Sequence, residues 1–254
     1  MVKSNGGSNM LGITTLALSL ALAAPQDSFA SFGNGAISWV QIGGSWKKAL
    51  FVCDGVNTSE SLIFGYPSAS GGTTVARLSG GNWTTQAAAM GEGEPGAGQI
   101  NYPLSGGATG VVNAFNPAMV EGATSPTVSS VQLGSDSVTC RWAPSTVLLA
   151  VTPIRTIMIT SVAAGYQYQA FTHGALSAVT QDGPAVSNEP AISLTGGKMT
   201  GDAVNQTYSF TNGDFTYTIA IGGPQGKPGG TLTVTKSGQQ IGLEQFSGYT
   251  LNGN

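Results

Sequence analysis

The chain has 254 residues, with nine Lys/Arg against twelve Asp/Glu, a formal net charge of −3 and only 8% charged residues. That balance excludes the electrostatic footprint of a nucleic-acid binder, and 41% hydrophobic residues with sparse charge argue against overall disorder. Thirty-eight glycines imply many turns.

The run Leu11 to Ala24 (LGITTLALSLALAA) is uncharged and apolar after a short segment carrying Lys3. Fourteen residues are too few to span a bilayer, where roughly 20 are needed. The expectation is a cleavable signal peptide over 1–30, with small-residue sites at Ala21-Leu22-Ala23 and Ser28-Phe29-Ala30 and the second preferred. Residues 31–254 would then form one secreted or periplasmic β-rich domain with no membrane span after signal removal, large enough for a sizeable core.

From Ala36 the chain reads as short β segments: 36–42, 47–54, 60–66 and 73–78, punctuated by Gly43-Gly44 and the turn-rich PSASGG. Residues 80–126 are dense in Gly, Pro and Ala with weak periodicity. There the pattern suggests a helical turn near Thr85 to Met90 and a strand over Gln99 to Leu104. As the longest irregular stretch, 80–126 is the first place to look for a functional loop. Trp83, expected in the loop GGNWTT, could stack on a sugar or anchor a peptide. Glu92 and Glu94, in GEGEPG, are the carboxylates a glycosidase-like site would draw on, although i, i+2 spacing on glycines fixes no separation between them. With Tyr102 these make the candidate binding residues.

Pattern returns at 127 with strands at 128–133, 137–142, 146–151, 154–162 and 165–171. Arg155, which shares parity with Ile157 and Ile159, is either an end-of-strand residue or a partnered interior charge, and the former is preferred. Cys53 and Cys140 are the two cysteines, and in an oxidising compartment they pair. Ser177 to Pro190, with two prolines and two acidic residues, is a linker or crossover that divides the domain into two packed halves.

The clearest local geometry lies at Val204 to Ile221, where Asn212-Gly213 separates two alternating aromatic and Thr/Ser runs. A type I′ hairpin centred there sets Phe210 opposite Phe215, Tyr208 opposite Tyr217 and Val204 opposite Ile221. Ser237-Gly238 suggests a second two-residue turn, aligning Val234 with Ile241 and Leu232 with Leu243.

Catalytic signatures are not evident. The single histidine, His173, sits beside Gly174 as an exposed loop residue with no G-x-S-x-G elbow. One His and two paired Cys cannot build an ordinary zinc site, and no cofactor fingerprint follows any strand, so neither a metal nor a cofactor is expected.

The phrases LFVCDG at 50–55 and SVTC at 137–140 resemble the two-cysteine frame of periplasmic inhibitors of c-type lysozyme, which are small antiparallel β-barrels. The match is confined to those residues. That family's inhibitory loop pairs a Ser-Gly step with a tyrosine or basic residue, and Ser70-Gly71-Gly72 lacks that context in the linear sequence.

The fold expected is all-β, with antiparallel sheets as a sandwich or partly closed barrel stapled by one disulfide. The function expected is non-catalytic binding or a structural role in the cell envelope, with a protein or glycan partner and no nucleic acid. The alternatives are a secreted hydrolase with a carboxylate site in 80–126, and a protein inhibitor of a cell-wall hydrolase.

Overall fold

A computed structural model describes residues 36–56, 58–68, 70–79, 81–116, 128–173, 177–180, 183–185 and 189–252. The expected signal peptide and residues 117–126 of the irregular 80–126 stretch lie outside these residues.

The described residues are all-β and contain no helix. The first group of strands comprises β1 (Ile37–Ile42), β2 (Ser45–Asp54), β3 (Ser61–Gly65), β4 (Gly72–Ser79), β5 (Asn82–Met90), β6 (Glu94–Pro95), β7 (Gln99–Ser105), β8 (Gly110–Phe115), β9 (Val128–Leu133) and β10 (Asp136–Thr139). The second comprises β11 (Thr146–Val151), β12 (Arg155–Val162), β13 (Gly165–Thr172), β14 (Ser177–Thr180), β15 (Gly183–Ala185), β16 (Ile192–Gly201), β17 (Asn205–Asn212), β18 (Phe215–Gly222), β19 (Gly230–Lys236), β20 (Gln239–Gln245) and β21 (Gly248–Leu251).

Nineteen of these join one antiparallel sheet; β14 and β15 pair only with each other. From β2 the ladder runs through β3, β4, β5, β7, β8 and β9 to β10. In the other direction it runs through β1, β21, β11, β12, β13, β16, β17, β18 and β19 to β20. The strands flanking the 177–190 segment, β13 and β16, are thus direct neighbours.

The sheet is not closed into a barrel. Between β10 and β2 there is a single bridge, Gly55 to Cys140, in place of a ladder, and the Cys53–Cys140 disulfide lies beside it. Each arm curls around its own core. Phe51, Phe64, Tyr102, Val112 and Val131 fill the first, while Tyr168, Phe210, Ile219, Leu232 and Tyr249 fill the second. A third core, with Val52, Ile63, Leu78, Leu149, Val151 and Met158, lies where the outer faces of the two arms meet. This explains why β2 over 49–54 and all of β11 are buried on both faces.

Several expectations are corrected. Residues 85–90 extend as part of β5, paired with β4 from Gly72–Ala89 to Ser79–Asn82, so ladder pairing overrides the helical preference of Ala87-Ala88-Ala89. The hairpin turn is Gly213-Asp214: Gly213 has φ 58° and Asn212 pairs with Phe215 as the last rung. Glycine at the first central position is the type II′ arrangement. Phe210 therefore faces Tyr217 and Tyr208 faces Ile219, a shift of two that keeps every side chain on its expected face.

The second turn is Ser237-Gly238, with positive φ at both residues, and it sets Lys236 opposite Gln239. A bulge then slips the register, pairing Val234 with Gly242 and Leu232 with Glu244. An inserted residue re-aims side chains. Ile241 and Leu243 turn out to solvent at 56% and 53% exposure, and Glu244 turns inward to Arg155.

Candidate functional site

The four candidate binding residues do not converge. Trp83 is the second residue of β5, not a loop residue; it pairs with Leu78 and packs half-buried against the third core. Glu92 lies beyond Met90, which ends that strand about 24 Å of extended chain from Trp83. Glu92 and Glu94 are exposed, and Glu94 pairs with Asn101 on β7. Tyr102 is core, 2% exposed, its ring beneath Gly93.

His173 is likewise not a solvent-exposed loop residue. The end of β13 carries it to the junction of the two arms, where its Nε2 lies 2.8 Å from Thr156 Oγ1 and 3.9 Å from Asp54 Oδ1. Thr156 donates its hydroxyl to Asp54 Oδ1 at 2.6 Å, and Ser61 donates to the same oxygen at 3.0 Å. Arg141 closes the other side, its Nε on Asp54 Oδ2 at 2.7 Å and its guanidinium 3.4 Å over the Phe171 ring. Asp54 follows Cys53 and Arg141 follows Cys140, so the ion pair and the disulfide are parallel ties between the same strand ends.

Chemically this network is a clasp. Nucleophilic catalysis needs the imidazole between hydroxyl and carboxylate, so that it can take the hydroxyl proton. Here the hydroxyl stands between the other two, and Thr156 is fully buried. Burial pushes the His173 pKa below its ordinary value, outweighing the opposite pull of Asp54.

The feature with binding geometry is a groove of about 460 Å³ on the outer face of β1 to β5. Val40, Ile42, Ile63 and Ala76 make an apolar floor, and Gly65 and Gly72 leave it without side chains in two places. Thr74 and Thr85 contribute exposed hydroxyls, and Lys47, Lys48 and Tyr66 stand at the rim. Lys48 Nζ sits 4.8 Å from the centre of the Tyr66 ring, which is 46% exposed. The ladder makes this cluster: Ala49 pairs with Gly65, so the residues next to them, Lys48 and Tyr66, come side by side.

Among the described residues the arginines are committed to carboxylates, Arg77 to Glu60 and Asp136, Arg141 to Asp54 and Arg155 to Glu244, while neither Lys47 nor Lys48 forms an ion pair. A second depression, near Arg77, Gln86 and Asp136, has its cation already neutralised. The sequence did carry one signal for the groove, Lys47-Lys48 being the only adjacent basic pair. The contribution of Tyr66 needed the register of β2 on β3.

Glycine also makes the groove testable. A Cβ built at Gly65 meets nothing nearer than 3.5 Å, so a larger side chain there enters the groove without a backbone clash.

No family model, no curated protein and no solved structure matches this chain. No helix among the described residues is long and apolar enough to cross a membrane.

Proposed function

We propose that the chain is a non-catalytic binding protein of the cell envelope or extracellular space whose binding surface is the groove on β1 to β5. The observation that carries this reading is the pair of unneutralised lysines beside a half-exposed tyrosine, over a depression with both apolar floor and hydroxyl walls. Pockets that bind small ligands or short polymers have this make-up: apolar lining, a few convergent polar groups and volumes of about 300–1,000 Å³. The disulfide suits an oxidising compartment, as does the leader-like 1–30 segment.

Retention of purified protein on an immobilised cell-envelope fraction tests this. Wild type and Glu92→Gln/Glu94→Gln should be retained alike, and Gly65→Trp should run through. Loss of retention in the glutamate variant with Gly65→Trp still bound would move the site to the 91–98 turn and end the groove reading.

A second reading, an inhibitor of a cell-wall hydrolase, is favoured by the β3–β4 connection. Tyr66 begins it four residues before Ser70-Gly71, and folding sets the basic residue Lys48 against the Tyr66 ring. Titration of c-type lysozyme with the protein, followed by cell-wall lysis, tests it: stoichiometric loss of lysis supports it, and unchanged lysis removes it.

A further inference from the structure

We infer that the ligand of the β1–β5 groove is an acidic glycan, a sugar chain bearing carboxylates, held with its carboxylate at Lys47 and Lys48 and a sugar face on Tyr66. The inference rests on the groove being the binding surface. Three properties of the groove select this chemistry.

First, its unpaired charge is positive in a chain whose formal net charge is −3. Lys198, Lys227 and Lys236 also form no ion pair among the described residues, but only Lys47 and Lys48 are adjacent in sequence, so the groove concentrates two ammonium groups where an anion is attracted. Second, the remaining polar groups are hydroxyls and a phenol: Thr74, Thr85 and Tyr66. Such groups exchange hydrogen bonds with sugar hydroxyls, and an exposed ring offers an apolar face of large area with little entropy to lose.

Third, the groove runs across the face of the sheet. β1 over 38–40 and β3 over 61–64 are paired on both sides, while β2 over 45–48, β4 over 72–74 and β5 over 82–88 have a ladder partner on one side only. The poly-L-glutamate probe below tests the alternative of a peptide strand added to those open segments. A ligand lying across that face meets the lining hydroxyls of Thr74 and Thr85, which suit a ligand rich in its own hydroxyls. The groove crosses five neighbouring strands, about 19 Å, long enough for a chain of several sugars.

The test uses the full purified protein and three probes of known composition: polygalacturonate, uncharged dextran and poly-L-glutamate. Binding is followed by titration calorimetry, and the variants are Lys47→Gln/Lys48→Gln, Tyr66→Ala and, for the same loss of charge elsewhere, Lys198→Gln/Lys227→Gln. The expected result is saturable binding of polygalacturonate that weakens with added salt. It should fall about tenfold in the Lys47/Lys48 variant, fall in Tyr66→Ala, and stay within about twofold in the Lys198/Lys227 control. All the substituted side chains are on the surface, and superimposable thermal melts show that each variant folds.

Equal loss in the control variant, or equal binding of poly-L-glutamate, overturns the inference, because charge alone then accounts for the binding. Dextran binding that depends on Tyr66 but not on the lysines overturns the acidic ligand while keeping the groove. Polygalacturonate binding unchanged in every groove variant overturns the groove itself.

Discussion

Replacing Asp54 by Asn removes one charge from the clasp and little else. Asn keeps a carbonyl oxygen for the Thr156 and Ser61 hydroxyls, but turns an amide donor toward the Arg141 Nε–H that Asp54 Oδ2 accepted. The Arg141 side chain is 9% exposed, and that of Asp54 is 4% exposed. A buried cation left without its partner costs about 3–5 kcal/mol, which for a chain of this size lowers Tm by roughly 6–20 °C. Replacing both partners, as Asp54→Asn/Arg141→Met, removes the stranded charge and keeps a side chain over Phe171, so the double variant should be more stable than Asp54→Asn alone. Urea unfolding with the disulfide intact measures all three, with an unchanged m-value as the check that the same surface unfolds. A cost below about 1 kcal/mol for Asp54→Asn, or a double variant that loses the sum of the two single losses, would refute the clasp.

Other expectations follow from the same cores. The Tyr168 hydroxyl is buried with no hydrogen-bond partner among the described residues, so Tyr168→Phe should be neutral or stabilising by up to about 1–3 kcal/mol in the same unfolding assay. Gly197→Ala puts a Cβ about 2 Å from the Phe210 ring and should destabilise by about 1–3 kcal/mol or more. His173 has a folded pKa below its ordinary 6.5, so the unfolded chain binds its proton first as pH falls. Stability is therefore whole above about pH 6.5, declines as pH drops toward the folded pKa, and His173→Gln should flatten that decline in pH-dependent melts. Burial pushes Tyr208 and Tyr249 up to about 12. The unfolded chain then releases their protons first, so stability should fall above about pH 10 while spectrophotometric titration shows late-ionising tyrosines.

Strand existence was legible because most strands here are short Val, Ile, Thr and aromatic runs bounded by Gly, Asp or Pro. The disulfide was legible because two cysteines have one way to pair, and Arg155 stands at the start of β12 but is also a partnered charge, held by Glu244. Residues 85–90 misled because alanines prefer a helix in isolation, and only the partner strand β4 decides otherwise. The β19–β20 register misled because a bulge leaves no mark in an alternating pattern, although it decides that Leu243 faces water and Glu244 faces Arg155. The clasp was hidden by distance along the chain: Asp54 lies 102 residues from Thr156 and 87 from Arg141. His173 looked like a loop residue beside Gly174 because its burial comes wholly from other strands. The groove lay between these cases, its lysines visible in sequence and its tyrosine supplied by pairing.

The most direct test of the groove is lysine acetylation read by mass spectrometry, with and without saturating polygalacturonate. The account predicts strong protection of Lys47 and Lys48 and none of Lys198, Lys227 and Lys236, which lie on the other arm. Protection spread evenly over all five lysines, or confined to the second arm, would contradict it.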